Sequence, residues 1–212
     1  LQKRSDDQLA FEAKHDELTH LPNRRFLFEA FDEWKEQHKS GFSLLFIDLD
    51  NFKHINDIHG HAVGDKVLIE VAARIDNYFK NNGLAIRQGG DEFIILINLA
   101  DDAQSLTLCR NFLEKLQEPI SDDDAEFHVR ASIGVASCPK NSDSLDQLLS
   151  QADMAMYEAK RLKCGIFIYS DSLQEKIERY AQIEKQLQYA LEYDEFFLVY
   201  QPQMTADDKV VG

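Results

Sequence analysis

Short apolar runs alternate along the chain with longer stretches in which apolar residues recur every three or four positions. The periodic stretches predict helices. One begins at Pro22 and runs to about residue 38, with Phe26, Phe28, Ala30, Phe31 and Trp34 giving it a largely apolar character. A second covers residues 62–79 through Val67, Leu68, Val71, Ala72, Ile75 and Phe79, and Leu106, Leu108, Phe112, Leu113 and Leu116 mark a third. Ser144 with Gln147 reads as a capping box. It opens a helix whose buried side carries Leu145, Leu148, Leu149, Ala152 and Met156. The runs 42–47, 84–86, 93–97, 127–136 and 166–169 read as strands. Strands and helices that alternate without repeats predict an α/β (α+β) sandwich, with helices flanking a mostly antiparallel central sheet.

Polar residues break this pattern in two informative places. Gly89-Gly90 sits between two strand-like runs and reads as a hairpin tip, because glycine tolerates the positive φ of a tight turn. Asp91 and Glu92 follow at once, although both are poor strand formers. Turn chemistry alone leaves two equal readings, a solvated turn and a bare-backbone site for a metal-bound phosphate. The second break comes where the run 42–47 ends in Asp48-Leu49-Asp50. Asn51-Phe52-Lys53-His54-Ile55-Asn56-Asp57 and Gly60-His61-Ala62-Val63-Gly64-Asp65 follow. Acids at the carboxyl end of a buried strand stand where α/β folds place metal ligands and substrate contacts. Taken alone they are an acidic loop. Strand, acid, glycine-bearing loop, helix and a hairpin with two more acids together are similar to the palm of nucleotidyl transferases. There, carboxylates of neighbouring strands share the cations that bind a triphosphate.

Further motifs narrow the resemblance. They are Asp16-Glu17-Leu18-Thr19-His20-Leu21-Pro22-Asn23-Arg24-Arg25, the segment 47–65, Ala131-Ser132-Ile133-Gly134-Val135-Ala136, and Ala152-Asp153-Met154-Ala155-Met156-Tyr157-Glu158-Ala159-Lys160. With the pentapeptide 89–93 they span roughly residues 14–170, and over that span the chain resembles the GGDEF domains. These are diguanylate cyclases, which condense two GTP into cyclic di-GMP and two pyrophosphates at a site shared across a homodimer. The resemblance implies a palm-like fold and a site in which Asp48, the Leu49 carbonyl and Asp91 hold Mg²⁺ (or Mn²⁺), with two ions in each half-site. Hard oxygen ligands suit Mg²⁺. Asp91 and Glu92 become the candidates for lowering the barrier to deprotonation of the attacking hydroxyl.

For the nucleotide, the resemblance assigns Asn56, His61 and Asp65 to base and sugar, and Lys53 and Lys160 to the triphosphate. Phe52, Gly89 and Gly90 complete the substrate-contacting set. A carboxylate at Asp65 accepts hydrogen bonds only, which matches the adjacent N1–H and N2–H donors of guanine and rejects adenine. Such sites discriminate by about 10⁴-fold. Read without the resemblance, Asp65 is an acid near a helix N-terminus that stabilises the helix dipole. Exposed lysines at helix ends are ordinarily only solvating, and His54 and His59 match no metal motif. Arg87 matches a family arginine and is expected to pair with Asp16 as architecture.

Two positions depart from the family pattern. Cys164, in Arg161-Leu162-Lys163-Cys164-Gly165, stands where the family carries a phosphate-touching arginine, so Arg161 or Lys163 would have to substitute. The family's inhibitory Arg-x-x-Asp corresponds here to Lys80 and Gly83, which cannot supply it.

Charge and composition set the surroundings. With 44% hydrophobic residues and 10% aromatics the chain can build a real core, and 212 residues fit one domain plus an appendage. The net charge of −15 argues against a nucleic-acid surface and against a palm-type polymerase. It leaves a metal-bound nucleotide possible. Three cysteines (Cys109, Cys138, Cys164) without CxxC spacing read as reduced thiols in a cytoplasmic protein. No apolar run approaches the roughly 20 residues of a membrane helix.

Residues 1–15 read as the end of an upstream signalling helix or linker, and 16–171 as the GGDEF domain. Residues 172–212 read as a linker helix (173–195) and a strand (196–201) that resemble the start of an EAL domain, a cyclic di-GMP phosphodiesterase. The chain stops before any EAL metal ligand. The expected function is therefore an active cyclase, with a catalytically weak GTP-binding module that regulates an adjacent EAL domain as the alternative.

Overall fold

The eight residues Phe42–Leu49 form strand β1, and all eight are buried. That is the pattern of a strand covered on both faces. The computed structural model describes residues 11–122, 125–193 and 197–199. It divides into two compact units, Leu1–Ser170 and Asp171–Gly212. In the first unit the elements are α1 (Arg24–Gln37), β1, α2 (Phe52–His59), α3 (His61–Phe79), β2 (Gly83–Gly89), β3 (Glu92–Ile97), α4 (Asp102–Leu116), β4 (Ile120–Asp122), β5 (Ala125–Phe127), β6 (Ala131–Cys138), α5 (Leu145–Leu162) and β7 (Ile166–Ile168). The main sheet has five strands in the order β2-β3-β1-β6-β7. Its pairings are antiparallel except β6–β7, which is parallel. This is the mostly antiparallel, helix-flanked sheet that the pattern predicts.

Side chains of β1 alternate between the two faces of the sheet. Leu45, Ile47 and Leu49 join a core with Val67, Val71, Ile75 and Phe79 of α3 and with Phe112 and Leu116 of α4. The other face receives α5. At Gly134, paired with Phe46 of β1, an added Cβ would lie 1.9 Å from the Ala152 carbonyl oxygen and 2.2 Å from the Met156 nitrogen. Helix backbone therefore rests directly on strand backbone, a contact only glycine permits. This contact sets the height at which α5 carries its polar residues over the end of β1.

Several local expectations are corrected. The first helix starts at Arg24 because the Asn23 side chain, not Pro22, caps it, accepting from the Phe26 N–H at 3.1 Å. Residues 52–59, expected as loop, are helix α2. The single strand expected over 127–136 is two, β5 and β6, separated at residues 128–130, and β5 pairs with β4 in a separate two-stranded sheet. The capping box does not form. Gln147 Oε1 accepts from Ser142 Oγ at 2.6 Å, Ser142 Oγ accepts the Ser144 N–H at 3.0 Å, and the Ser144 side chain makes no cap bond. In the second unit, α6 (Asp171–Glu192) is an amphipathic helix with Tyr180, Ile183 and Leu187 exposed. Of the strand expected at 196–201, residues 197–199 are exposed and in no strand, and the remainder lies outside the described residues, as does 1–10 of the expected signalling helix.

Candidate active site

Two antiparallel pairings bring the acids together. Asp48, the penultimate residue of β1, is the register partner of Glu92 on β3 and of Ser132 on β6. The β2–β3 turn then places Asp91 beside them, and the Leu49 N–H donates to the Asp91 carbonyl at 3.3 Å. Gly89 and Gly90 have φ of 145° and 55°, and nothing lies within 4 Å of a Cβ built at either. The turn needs glycine for its backbone and leaves open space above it.

The tip is fixed from below. Arg87, nearly buried, donates to the Gly90 carbonyl at 2.7 Å and to Asp16 Oδ1 at 2.7 Å. Asp16 also accepts from the Thr19 N–H and hydroxyl at 2.8 and 2.7 Å. Burial alone would raise the Asp16 pKa, but the bonds from Thr19 and Arg87 outweigh it and hold the carboxyl below its ordinary value. The expected Arg87–Asp16 pair is thus present, and its role is to clamp the entry motif under the glycine turn.

Helix α5 supplies the cation. Lys160 Nζ lies 2.5 Å from Asp48 Oδ1. Burial opposes its charge, yet Asp48, Asp50 and Asp91 raise its pKa. The acids respond to one another. Burial first and Asp48 second push Asp91 up, and Glu92 is raised by burial, then Asp48, Asp153 and Asp91. Asp153 is raised by burial and then by Asp48. Asp153 is the residue that the sequence reading passed over. It precedes Lys160 by two helical turns, and that spacing on α5 was the available signal.

Loop geometry arranges the remaining candidates. Asn51 takes a left-handed φ of 58° and turns the chain from β1 into α2. Phe52 is buried at the start of that helix, while Lys53 next to it is exposed. A Cβ at Gly64 would fall 1.9 Å from Asn56 Oδ1, so the missing side chain is what seats Asn56 against α3, beside the exposed Asp65. His61, the first residue of α3, is exposed. His59 instead packs its ring edge-on against Phe127, centroids 5.1 Å apart. Asp50 is fixed by a bond from Ser132 Oγ at 2.9 Å and by its N–H to the Arg130 carbonyl at 2.8 Å. Arg161 is committed to Glu158 through two bonds of 2.7 Å.

Among the described residues no three His, Cys, Asp or Glu side chains form a metal cage. Asp48 and Asp91 with a backbone carbonyl are an all-oxygen, incomplete donor set. That set fits Mg²⁺, which keeps water and phosphate oxygens in its shell.

Comparison with known proteins agrees with this fold. The family described as "Diguanylate cyclase, GGDEF domain" matches residues 13–165, and the chain belongs to that family. The bifunctional diguanylate cyclase/cyclic di-GMP phosphodiesterase MucR of Pseudomonas aeruginosa is 35% identical over 207 residues, covering 96% of this chain and 30% of MucR. The diguanylate cyclase TpbB of the same species is 43% identical over 163 residues, 74% of this chain and 37% of TpbB. The solved GGDEF domain of TpbB superposes with a TM-score of 0.70 at 38% identity, covering 77% of this chain and 99% of that one. The chain thus spans about a third of the length of these curated relatives. Among the described residues, no helix is long and apolar enough to cross a membrane.

Proposed function

We propose that this chain carries a diguanylate cyclase domain that condenses two GTP into cyclic di-GMP at a site completed by a second copy. The supporting observation is the placement of Asp48 opposite Glu92 and beside Asp91, under an open Gly89-Gly90 turn, with Lys160 on Asp48. In the reaction a 3′-hydroxyl of one GTP attacks the α-phosphorus of the other. The new P–O bond forms as the bond to the bridging oxygen breaks, pyrophosphate leaves, and the hydroxyl proton is lost. Such chemistry rests on positioning and charge, with no protein nucleophile. Mg²⁺ or Mn²⁺ held by Asp48, Asp91 and the Leu49 carbonyl, two ions per half-site, would supply Lewis acidity to the attacking and leaving oxygens. Asp91 and Glu92, both raised first by burial and then by the Asp48 charge, would take the hydroxyl proton. Asp65 and Asn56, with His61, would read guanine and sugar. Gly89, Gly90 and Phe52 would border the phosphates, and Lys53 and Lys160 would neutralise them.

A second reading keeps GTP binding but little turnover, with the domain regulating an EAL partner. Cys164 favours it, because it removes a phosphate-binding charge from the family pattern. The 207-residue match to MucR runs beyond the 13–165 family segment, which supports reading 172–212 as a linker helix and the start of an EAL domain. Incubation with GTP, with and without Mg²⁺, and identification of products by mass tests the proposal. Cyclic di-GMP formed only with metal supports the first reading, and bound GTP with no product supports the second.

A further inference from the structure

Helix α2 carries Lys53 and Asn56, yet it has only eight residues, and Phe52 is its one buried side chain. A helix this short does not hold itself in water, so packing has to fix where its residues point. Phe52 seats its first turn, together with Ile55, which packs partly against the core. In the last turn Ile58 is exposed, and Asn56 rests against Gly64. The His59 ring completes the seat of that turn. It stands edge-on to Phe127 of β5, with centroids 5.1 Å apart and ring planes at 86°. Phe127 is itself buried in the core. The exit from β5 reaches the other end of the helix, where the Asp50 N–H donates to the Arg130 carbonyl at 2.8 Å. Residues 127–130 therefore grip the segment 50–59 at both ends.

Strand β5 pairs only with β4, in the two-stranded sheet that stands apart from the main one. The chain entering β4 is in turn tied to α3. Arg74 of that helix donates to the Leu116 carbonyl at 3.2 Å, to the Pro119 carbonyl at 3.0 Å and to the Glu118 carbonyl. The β4–β5 ribbon thus links α3, which carries Asp65, to α2, which carries Asn56. We propose that the ribbon is a strap that sets α2 against α3, and that Phe127 is a positioning residue acting through His59 to hold Asn56 where it meets guanine. The proposal rests on the reading of Asn56 and Asp65 as the guanine contacts. Asn56 lies three residues before His59, so the two are neighbours on one helix face. The turn that seats His59 is the turn that aims Asn56.

Calorimetric titration of the full chain in Mg²⁺ tests this. The probes are a GTP analogue with methylene between the α- and β-phosphorus and its ATP counterpart. The variants are His59→Ala, Phe127→Leu, the two combined, and His59→Phe, which keeps a ring at the exposed position. Urea denaturation checks that each is folded at the temperature of the titration. Loss of one edge-on ring pair should weaken the GTP analogue by about two- to tenfold in either single variant. The ATP counterpart should change less, so the preference for guanine falls. The double variant should bind no worse than the weaker single one, because both remove the same contact. His59→Phe should stay within about twofold of wild type. An unchanged preference for guanine in the single variants would overturn the strap, and so would fully additive losses or a His59→Phe chain as weak as His59→Ala. A wild-type chain that binds both analogues equally would instead overturn the guanine reading on which the proposal rests.

Discussion

Lys160 Nζ rests 2.5 Å from Asp48 Oδ1, which ties the end of α5 to the end of β1. The pair joins two elements that the sequence keeps 112 residues apart. Lys160 is 40% exposed, so the bond adds little stability, about 0–1 kcal/mol. Its value lies in placing a cation at the mouth of the carboxylate group. Lys160→Met is expected to leave the denaturation midpoint nearly unchanged while lowering turnover by about tenfold or more, the loss of one preorganised charge. Urea denaturation beside steady-state kinetics checks both parts. A large stability loss with undiminished turnover would reverse the assignment.

Gly134→Ala should damage the site from a distance. The new Cβ would meet α5 backbone at 1.9 Å, so the helix has to lift off the sheet. Overpacking of this kind costs about 1–3 kcal/mol or more. Lys160 and Asp153 ride on the same helix, so activity should fall together with stability. Chemical denaturation and turnover measured on one preparation would show whether the two losses coincide.

Asp16→Asn should destabilise the domain by about 1–3 kcal/mol, because Arg87 loses a charged partner while nearly buried. The folded-state pKa of Asp16 lies below its ordinary value of 3.8. Its contribution is therefore present above that value and fades as pH falls through the lower folded pKa. The stability gap between wild type and variant should be widest near neutrality and close in strong acid. A gap that widened with acid would contradict the assigned sign.

The three thiols should differ in reactivity. Burial pushes Cys109 up to about 12 and raises Cys138 as well, whereas Cys164 is exposed. The thiolate is the reactive form. Alkylation of the native chain at neutral pH should modify Cys164 rapidly and Cys109 only after unfolding, as peptide mass mapping would reveal. Early labelling of Cys109 would argue against the packing between α4 and the sheet.

Product inhibition through an Arg-x-x-Asp clamp should be missing, since Lys80 and Gly83 occupy its ends. Gly83 is also constrained, because a Cβ there would lie 2.9 Å from the Leu96 carbonyl oxygen. Restoring the motif by Lys80→Arg with Gly83→Asp should therefore lower stability. Calorimetry with cyclic di-GMP should show no binding that Lys80→Ala removes.

Where the pattern was long and periodic, the sequence sufficed. The buried face of α3 and the apolar side of α5 are read directly from residues such as Val67, Ile75, Leu148 and Met156. The Arg87–Asp16 pair and the hairpin at Gly89-Gly90 were legible from motif and turn chemistry. Helix α2 was not, because in Phe52–His59 only Phe52 is buried and polar residues hide the period. The break at 128–130 lies inside one polar-apolar mixture, with Val129 buried although it belongs to no strand. Ser142 defeated the capping box because it reaches Gln147 first, a competition between neighbours that spacing alone does not reveal.

The central claim is that the acids joined across β1 and β3 make this chain a cyclase. The most direct measurement is a time course with GTP and Mg²⁺ that quantifies cyclic di-GMP and pyrophosphate for wild type and for Asp91→Asn. The account predicts two pyrophosphates released for each cyclic product in wild type, with a specific activity that rises with enzyme concentration. It predicts no cyclic product from a folded Asp91→Asn chain. Equal product from the variant, or GTP bound by wild type without any turnover, would contradict it.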